Sequence, residues 1–454
     1  MGCGGRWIRA LAFVGRVRSG ARGYLLWTAC VLFAACGGEP EAQAVSADDV
    51  PRFWQAYDQA VAAADSSVQV QLLDSLFIRR GTPGLAALME RRSLTPEAYR
   101  EAITRYPRFW ESVRRGTLRA EEYAGDIASG VRQLREVYPE LRQAGVYFTI
   151  GTLLTPGMTL DDIVFIGSEL ALGDSAVVTE ELPEPLRTNL RAYFDSRPAD
   201  DVVFLNIHEY VHTQQGPFGD NLLAVALQEG VAEFVAALAL DLPSPTPAVA
   251  FGKENESKVK GRFASEMFSP NWNDWLYNDF SNQFGVRDLG YYVGYAIAER
   301  YVEGAEHPKE AVAALIELDY QDPEAVERVV EASGYFDAPL RDLRRDYMSS
   351  TPEVVDYRFG TGAGPVPEGP AELEITFSKP MSDRFRGFDF GPLGESQVIR
   401  VTEIVGWSED GRTLTVKVDL PARRPAQVLL TSQFRSVGGA ALVPFLLEAG
   451  GDTR

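Results

Sequence analysis

The spacing of apolar residues divides the chain into stretches of different periodicity. Between about residues 50 and 145 they recur three or four positions apart, which predicts amphipathic helices. One such series is Val68, Leu72, Leu73, Leu76 and Phe77. Residues 145–151 and 162–167 are short β-branched and aromatic runs with glycine at their ends, which predicts two strands. From about 199 to 350 the helical spacing returns and predicts a second helical stretch.

A further change of pattern begins near residue 355, where polar and apolar residues start to alternate. Strands are predicted at 372–377, 413–418 and 427–431. Asp410 and Gly411 supply a hairpin turn between two strands. This pattern predicts a β-sandwich over residues 355–454. The segments FSKPM and GGAALVPF within it resemble bacterial immunoglobulin-like domains, which implies a spacer or adhesive module.

The N-terminal residues have the pattern of an export signal. Five arginines precede the first acidic residue, Glu39, and they are followed by an apolar run at 24–35. The run is about a dozen residues long, which is short for crossing a hydrocarbon core of roughly 30 Å. Residues 33–36 read Phe-Ala-Ala-Cys and resemble a lipobox, which implies a signal peptide over 1–35 and a lipid on Cys36.

The residues after Cys36 predict a flexible tether over 36–50. Gly37 resembles the pattern that sorts lipoproteins to the outer membrane. We therefore expect an exported lipoprotein anchored to a membrane through Cys36, in the outer membrane, the periplasm or at the cell surface. An uncleaved membrane anchor and a plain signal peptide are the alternative interpretations of this segment.

Composition narrows the class of protein. The chain has 44 basic and 64 acidic residues, and its net charge of −20 repels phosphate backbones, so we expect no nucleic-acid partner. The hydrophobic content of 45% and charged content of 24% are those of a soluble globular protein. Cys3, Cys30 and Cys36 all lie near the N-terminus, so the body of the chain depends on packing or a metal rather than on disulfides.

One motif carries candidate chemistry, since residues 208–212 read His-Glu-Tyr-Val-His. On a helix, His208 and His212 lie on one face with Cβ atoms about 6 Å apart, so both imidazoles can reach one metal ion. Glu209, one position further round, can take a proton from water beside that metal. The flanking residues are apolar almost all round, which predicts a buried helix whose imidazoles need partners. Core histidines bonded to the backbone are the alternative.

A carboxylate is the expected third ligand, because the one remaining histidine, His307, lies in a polar loop. Residues 222–240 are apolar enough to imitate a membrane span, but two carboxylates near the middle favour a buried helix of a soluble domain. Glu229 and Glu233 lie four apart and face the same neighbour, and Gly230 permits the close approach of a second helix. If that neighbour is the histidine helix, Glu229 ligates and Glu233 accepts an imidazole N–H. A pair of capped or partly solvated carboxylates is the alternative.

The sequence HEYVH, followed by LQEGVAEF with Glu229 seventeen positions after His212, resembles the gluzincins, the thermolysin-like zinc peptidases. The resemblance covers about residues 145–300 and is nearest to the aminopeptidase branch and to predicted zinc proteases of uncharacterised bacterial families. It implies a peptide or protein substrate. It also implies one Zn²⁺ ion on His208, His212 and Glu229, with Glu209 as catalytic base and Glu233 as the acid that supports an imidazole.

With this resemblance the expected fold class is α+β. A mainly helical zincin-type domain with a small sheet is expected over residues 51–350, with its core at 145–300, followed by an all-β immunoglobulin-like sandwich over 355–454. In gluzincins a strand upstream of the histidine helix pairs with an extended substrate. Residues 145–151 and 162–167 are the candidates for that strand, and an ordinary core strand is the alternative for each.

Gluzincins also use a tyrosine to stabilise the developing oxyanion. The resemblance implies Tyr292 or Tyr295 for this role, with Tyr291 as a further candidate and aromatic core packing as the alternative. An aromatic cluster nearby could line a substrate pocket or pack in a core or interface: Trp272, Trp275 and Tyr277.

Two features of the sequence depart from the family. The interval between the second histidine and the glutamate is slightly shorter than in the aminopeptidases, and their Gly-x-Met-Glu-Asn motif is absent. We expect a cell-envelope zinc metallopeptidase. The alternative is a non-proteolytic binding or scaffold lipoprotein that keeps the fold of a zinc peptidase.

Overall fold

The described part of the chain begins inside the segment predicted as a tether. A computed structural model describes residues 45–278, 282–360, 369–422 and 425–450, which belong to one compact unit. The predicted signal peptide (1–35) and Cys36 lie outside these residues. The tether predicted over 36–50 ends earlier, because Val45 and Ser46 already pair with a strand and Asp49 is buried.

Six helices open the structure and confirm the helical spacing of this stretch. They are α1 (Asp49–Ala62), α2 (Ser66–Leu76), α3 (Pro83–Arg92), α4 (Pro96–Arg105), α5 (Pro107–Thr117) and α6 (Ala120–Val137). Three of them begin at a side chain that accepts backbone N–H groups of the first turn. These capping residues are Asp65, Thr82 and Thr95.

A four-stranded sheet follows these helices. Its strands are β1 (Val45–Ser46), β2 (Gly145–Thr149), β3 (Gly157–Leu160) and β4 (Ile163–Gly167), in the order β1-β2-β4-β3. The first three in that order are parallel, while β3 pairs antiparallel with β4 and forms one edge of the sheet. Both strands predicted from the sequence are confirmed as β2 and β4, whereas the edge strand β3 was not predicted.

The histidine motif lies in the second helical stretch. Two helices precede it, α7 (Ser168–Ala171) and α8 (Leu186–Asp195), and the motif ends α9 (Val202–His212). Seven more helices follow: α10 (Leu222–Leu240), α11 (Pro247–Glu254), α12 (Glu256–Ala264), α13 (Leu289–Glu303), α14 (Pro308–Ile316), α15 (Pro323–Ser333) and α16 (Leu340–Ser350). His307 is exposed just before α14.

Helix α10 is the core helix of this part of the chain. Among the described residues it alone is long and apolar enough to cross a membrane by length and composition. Within the fold, 94% of this stretch is buried, as the pair of carboxylates in its middle predicts. Helix α10 packs against α9, and it also meets α13 at Gly230.

The contact between α10 and α13 is a backbone contact. A Cβ atom on Gly230 would lie 2.1 Å from the carbonyl carbon of Gly294, and one on Gly294 would lie 1.8 Å from the carbonyl oxygen of Ala226. Only glycine fits at both positions. The close approach predicted for Gly230 is therefore made by α13 and not by the histidine helix.

The C-terminal residues form two antiparallel sheets. One contains β5 (Val354–Phe359), β6 (Gly369–Phe377), β9 (Thr413–Leu420) and β8 (Arg400–Trp407), and the other β11 (Phe445–Ala449), β10 (Ala426–Leu430) and β7 (Phe388–Asp389). Inward-facing residues of both sheets, among them Leu373, Val416 and Val428, form a hydrophobic cluster of their own. The predicted turn at Gly411, with φ of 68°, joins β8 to β9. The predicted strands and the α+β class are confirmed.

Candidate metal centre

The two histidines of the motif converge on one point. His208 and His212 stand one turn apart at the end of α9, and their Nε2 atoms are 3.0 Å apart. Phe204, Ile207 and Val211 on the same helix are buried in the core. His208 itself is only 5% exposed. The spacing of four residues therefore brings both imidazoles to one point, as the sequence predicts.

Glu229 completes a triangle of donor atoms. Its Oε2 lies 3.5 Å from His208 Nε2 and 3.3 Å from His212 Nε2. The carboxylate comes from the middle of α10, which α9 contacts along this face. Two histidines and one glutamate from two packed helices thus offer three ligand atoms within 4.8 Å of one another.

The dimensions of this triangle fit a metal ion. Nitrogen and oxygen ligands at about 2.0–2.2 Å from an ion in tetrahedral geometry lie about 3.3–3.6 Å from each other. The separations of 3.0, 3.3 and 3.5 Å are close to that range. Two neutral imidazoles with facing Nε2 lone pairs repel each other, so a cation between them removes an unfavourable contact. The buried group of His208, His212 and Glu229 could therefore hold a metal ion.

Electrostatics favour positive charge at the same point. Burial alone would lower the pKa of His208, but hydrogen bonds to Glu229 and Glu233 outweigh it and raise the pKa to about 10. Burial likewise opposes ionisation of Glu229, yet His212 and His208 hold the pKa of its carboxyl well below 4.5. The carboxylates thus favour a positive charge on the imidazoles, and the imidazoles favour a negative charge on Glu229.

Glu233 orients the first imidazole. Its Oε2 lies 2.8 Å from His208 Nδ1, on the side of the ring away from the donor triangle. Thr246 Oγ1 donates to the same carboxylate at 2.6 Å, and Ser244 Oγ donates as well. When a metal ion is bound, this carboxylate would keep the remaining proton of His208 on Nδ1 and leave the Nε2 lone pair for the ion. This is the placement that the sequence predicts for Glu233.

Gln215 performs the same task for the second imidazole. Its Oε1 lies 2.6 Å from His212 Nδ1, and its Nε2 donates to the carbonyl oxygen of Gln228 at 3.0 Å. Gln228 belongs to α10, so this amide also ties the end of α9 to the helix that carries Glu229. Gln215 was not predicted from the sequence, because a glutamine three residues after a histidine carries no distinctive pattern.

Glu209 lies beside the donor triangle without belonging to it. Thr159 Oγ1 is 2.9 Å from Glu209 Oε2 and 2.9 Å from its backbone oxygen. The carboxylate is near enough to His212 to contribute to the raised pKa of that imidazole. A half-buried carboxylate held next to a metal-binding triad is suited to receive and return a proton.

The partner of Glu209 comes from the edge of the sheet. Thr159 lies on β3, whose outer side pairs with no other strand of this four-stranded sheet. The two strands proposed as substrate-pairing, at 145–151 and 162–167, are β2 and β4, which are inner strands of the sheet. The main-chain groups of β2 and β4 already pair with neighbouring strands, so the prediction that one of them pairs with a substrate is wrong for both. The open edge beside α9 belongs to β3.

The structure also corrects the choice of tyrosine. The ring of Tyr292 fills the space beside Gly252, and the ring of Tyr295 packs edge-on against Phe234 with Lys253 Nζ 4.7 Å from its centroid. Neither phenol contacts a residue of the triad in the described part of the chain. Tyr292 is rotated by about 100° from Tyr291 around α13, whereas Tyr295 shares the face of Tyr291 but lies one turn further along the helix.

Two other tyrosines adjoin the triad. Tyr291, one position earlier on α13, stacks on His208 with ring centroids 5.9 Å apart. Tyr277, from the turns between α12 and α13, donates its hydroxyl to Glu229 Oε1 at 2.5 Å. Desolvation and the nearby Glu229 carboxylate raise the pKa of both phenols above the ordinary value of 10, although 54% of Tyr277 is exposed, so both remain protonated donors.

Comparisons with known proteins leave this geometry as the main source of functional information. No family model matches the chain, and no curated protein matches it. Solved structures that align with it include the crystal structure of the S-layer protein rSbsC(31-844), with 14% identity, and surface layer protein SbsC, domains 1-6, with 13% identity. Each alignment covers 72% of this chain and 45% of the other, with a TM-score of 0.17. A score this low does not establish a common fold.

Proposed function

We propose that this chain is a zinc-dependent metallopeptidase of the bacterial cell envelope. The observation that carries the proposal is the triangle formed by His208 Nε2, His212 Nε2 and Glu229 Oε2, with sides of 3.0–3.5 Å. Glu209 lies beside this triangle, where a hydrolytic enzyme needs a proton acceptor. The same four residues carry the resemblance of the sequence to gluzincins.

Zinc is the metal that the donor set favours. Catalytic zinc sites use three protein ligands, often two histidines and one glutamate, and leave the fourth position to water or substrate. Structural zinc sites are closed by four ligands and usually contain cysteine, whereas all three cysteines of this chain precede residue 37. Three donors without cysteine therefore favour a catalytic ion.

The chemistry that zinc supplies in such a site is Lewis acidity toward a carbonyl oxygen and toward water. Glu209 accepts a proton from the attacking water at its carboxylate, which Thr159 holds in position. The water oxygen bonds to the carbonyl carbon, and the bond from that carbon to the amide nitrogen breaks. Glu209 then returns the proton to the leaving amine, so that one water is consumed for each peptide bond cleaved.

The location of this activity is proposed from the N-terminal sequence. The order of arginines, apolar run and Cys36 supports export and attachment to a membrane through a lipid. Peptide or protein substrates in the envelope would then reach the site without crossing the inner membrane. The alternative is a binding or scaffold lipoprotein that holds the same metal and cleaves nothing.

Two measurements on the purified protein test the proposal. Elemental analysis should give about one zinc per chain, lost in His208→Ala and kept in His307→Ala, which removes the exposed histidine instead. A peptide library should be cleaved by the wild type, not by Glu209→Gln, and normally by Glu306→Gln, a control at an exposed carboxylate. A wild type without metal contradicts the proposal. Zinc without cleavage supports the scaffold alternative.

A further inference from the structure

The turns between α12 and α13 carry a phenol to the donor triangle. Residues 272–278, which we call the tyrosine arm, contain no helix or strand. Tyr277 donates to Glu229 Oε1 at 2.5 Å, while Oε2 of the same carboxylate faces both imidazoles. The phenol therefore determines which oxygen of Glu229 is presented to a metal.

The tyrosine arm reaches this position in a strained backbone conformation. Tyr277 and Asp288 both have left-handed backbone angles, with φ of 57° and 60°. Residues other than glycine seldom adopt this conformation. Asp288 Oδ1 accepts the backbone N–H of Tyr277 at 2.6 Å, and Asn278 Oδ1 accepts that of Asp288 at 3.0 Å. Strained conformations persist only where their surroundings fix them, so the position of Tyr277 depends on the anchors of the arm.

One anchor of the arm comes from the C-terminal sheets. Arg435, in the connection between β10 and β11, forms an ion pair with Asp274, three positions before Tyr277. The arginine side chain is 15% exposed and that of Asp274 is 35% exposed. The ring of Phe385, also from the C-terminal part, lies 4.9 Å from the guanidinium carbon of Arg435. The ion pair is thus partly buried, and its arginine also contacts an aromatic ring of the C-terminal part.

The stretch between the ion pair and Tyr277 is anchored by burial and by hydrogen bonds. Trp275 and Leu276 are buried, with 3% and 1% exposure. Trp275 Nε1 donates to Glu266 Oε2 at 2.6 Å, and the backbone oxygen of Trp275 accepts from Gly290 at 2.9 Å. A displacement of Asp274 is therefore expected to displace Tyr277 as well.

We propose that the C-terminal sheets help to position a side chain of the metal site. Arg435 is a positioning residue that, through Asp274 and the tyrosine arm, holds the phenol of Tyr277 on Glu229. The inference rests on the metal site of the proposed function. It assigns to the C-terminal module a role beyond that of a spacer or adhesive domain.

The test is the zinc affinity of the full chain, measured by competition with a chromophoric chelator. Tyr277→Phe should weaken zinc binding about tenfold, as loss of a hydrogen bond to a ligand commonly does. Arg435→Gln and Asp274→Asn should each weaken it by about threefold to tenfold in the wild-type background. In the Tyr277→Phe background the same two changes should shift it less than about twofold, because no phenol is left to position.

Two further variants separate positioning from general destabilisation. Exchanging the charges, with Asp274→Arg and Arg435→Asp together, should restore at least part of the affinity lost in either single variant. Lys417→Gln breaks an exposed ion pair between Lys417 on β9 and Glu403 on β8 and should leave zinc affinity unchanged.

The outcomes also distinguish this inference from the proposed function. If Arg435→Gln leaves zinc affinity at the wild-type value, or weakens it equally with and without Tyr277, the coupling is absent and the inference is wrong. A wild type that binds no zinc overturns both proposals. A wild type that binds zinc and shows the coupling, but cleaves no peptide, overturns the peptidase assignment alone.

Discussion

Thr159 on the edge strand β3 holds Glu209 on helix α9 by one hydroxyl, which lies 2.9 Å from both the carboxylate and the backbone oxygen of that residue. The contact joins the one edge of the sheet that faces α9 to the residue proposed as the proton acceptor. A hydrogen bond to a charged group contributes about 1.5–3 kcal/mol when it is buried and somewhat less when it is half exposed. Thr159 is therefore expected to fix the direction of the carboxylate.

Replacing Thr159 by valine removes this donor and keeps the shape of the side chain. We expect kcat to fall about tenfold, equivalent to about 1.4 kcal/mol, while zinc content and KM stay unchanged. Steady-state kinetics on a cleaved peptide measure this. Thr104→Val, which removes an exposed hydroxyl on α4, is the matched control. An unchanged kcat would show that the position of Glu209 does not depend on Thr159.

Glu233→Gln tests the support of the first imidazole. The substitution keeps the size of the side chain but removes the negative charge beside His208 Nδ1. Loss of such a partner commonly costs about 10–100-fold in metal affinity, and we expect a decrease in that range. Chelator competition measures it, with Glu303→Gln at the exposed end of α13 as control. Equal affinities in wild type and Glu233→Gln would mean that the imidazole is oriented by other contacts.

The part of the site that the sequence predicts is the part set by local geometry. His208, Glu209 and His212 share one helix, so the helical period alone places both imidazoles on one side. Glu229 and Glu233 share a second helix in the same way. The pairing of the two helices is less local, but carboxylates in an apolar helix and imidazoles in another have few other partners.

The parts that were not predicted depend on contacts between distant segments. Tyr277 reaches Glu229 only because Asp288 and Asp274 fix an irregular stretch of chain. Among the tyrosines of α13, the one that contacts the triad depends on both the rotation of that helix about its axis and its position along that axis. Its contact through Gly294 sets this rotation, and a sequence pattern of aromatic and small residues does not encode it.

The backbone contact between α10 and α13 leads to a stability prediction. A Cβ on Gly230 would lie 2.1 Å from two backbone atoms of α13, which cannot move aside as a flexible side chain could. Gly230→Ala should therefore destabilise the protein by about 3 kcal/mol or more, at or above the upper end for overpacked cores. Thermal unfolding followed by circular dichroism measures the loss.

Gly125→Ala is the control for this substitution. Gly125 lies on helix α6, and a Cβ there would meet nothing within 4 Å. Alanine at that position should leave stability unchanged or raise it by about 0.5–1 kcal/mol, because it restricts the unfolded chain and favours the helix. Similar melting temperatures for the two variants would show that α10 and α13 can separate without loss.

Glu169 provides a prediction about pH that does not involve the metal. This carboxyl group is fully buried at the start of α7 and accepts the backbone N–H groups of Gly151 and Leu153 at 3.0 and 3.1 Å. Burial outweighs these bonds and raises its pKa from 4.5 to about 7. The folded state therefore binds the proton more tightly than the unfolded state does.

The sign of the effect on stability follows from that difference in proton binding. The contribution of Glu169 is complete below pH 4.5 and is lost as the pH rises through about 7, with a total on the order of 3 kcal/mol. In Glu169→Gln, which cannot ionise, the free energy of unfolding should fall less between pH 5 and pH 8 than in the wild type.

Urea unfolding with a chelator present at both pH values measures the two differences, and Glu254→Gln at an exposed site should keep the wild-type difference. The amide of Glu169→Gln can accept only one of the two backbone N–H groups, so its stability also differs from that of the wild type at any single pH. The test is therefore the change in the free energy of unfolding between the two pH values. An identical change in wild type and Glu169→Gln would mean that this carboxyl group ionises in the folded protein as readily as in water.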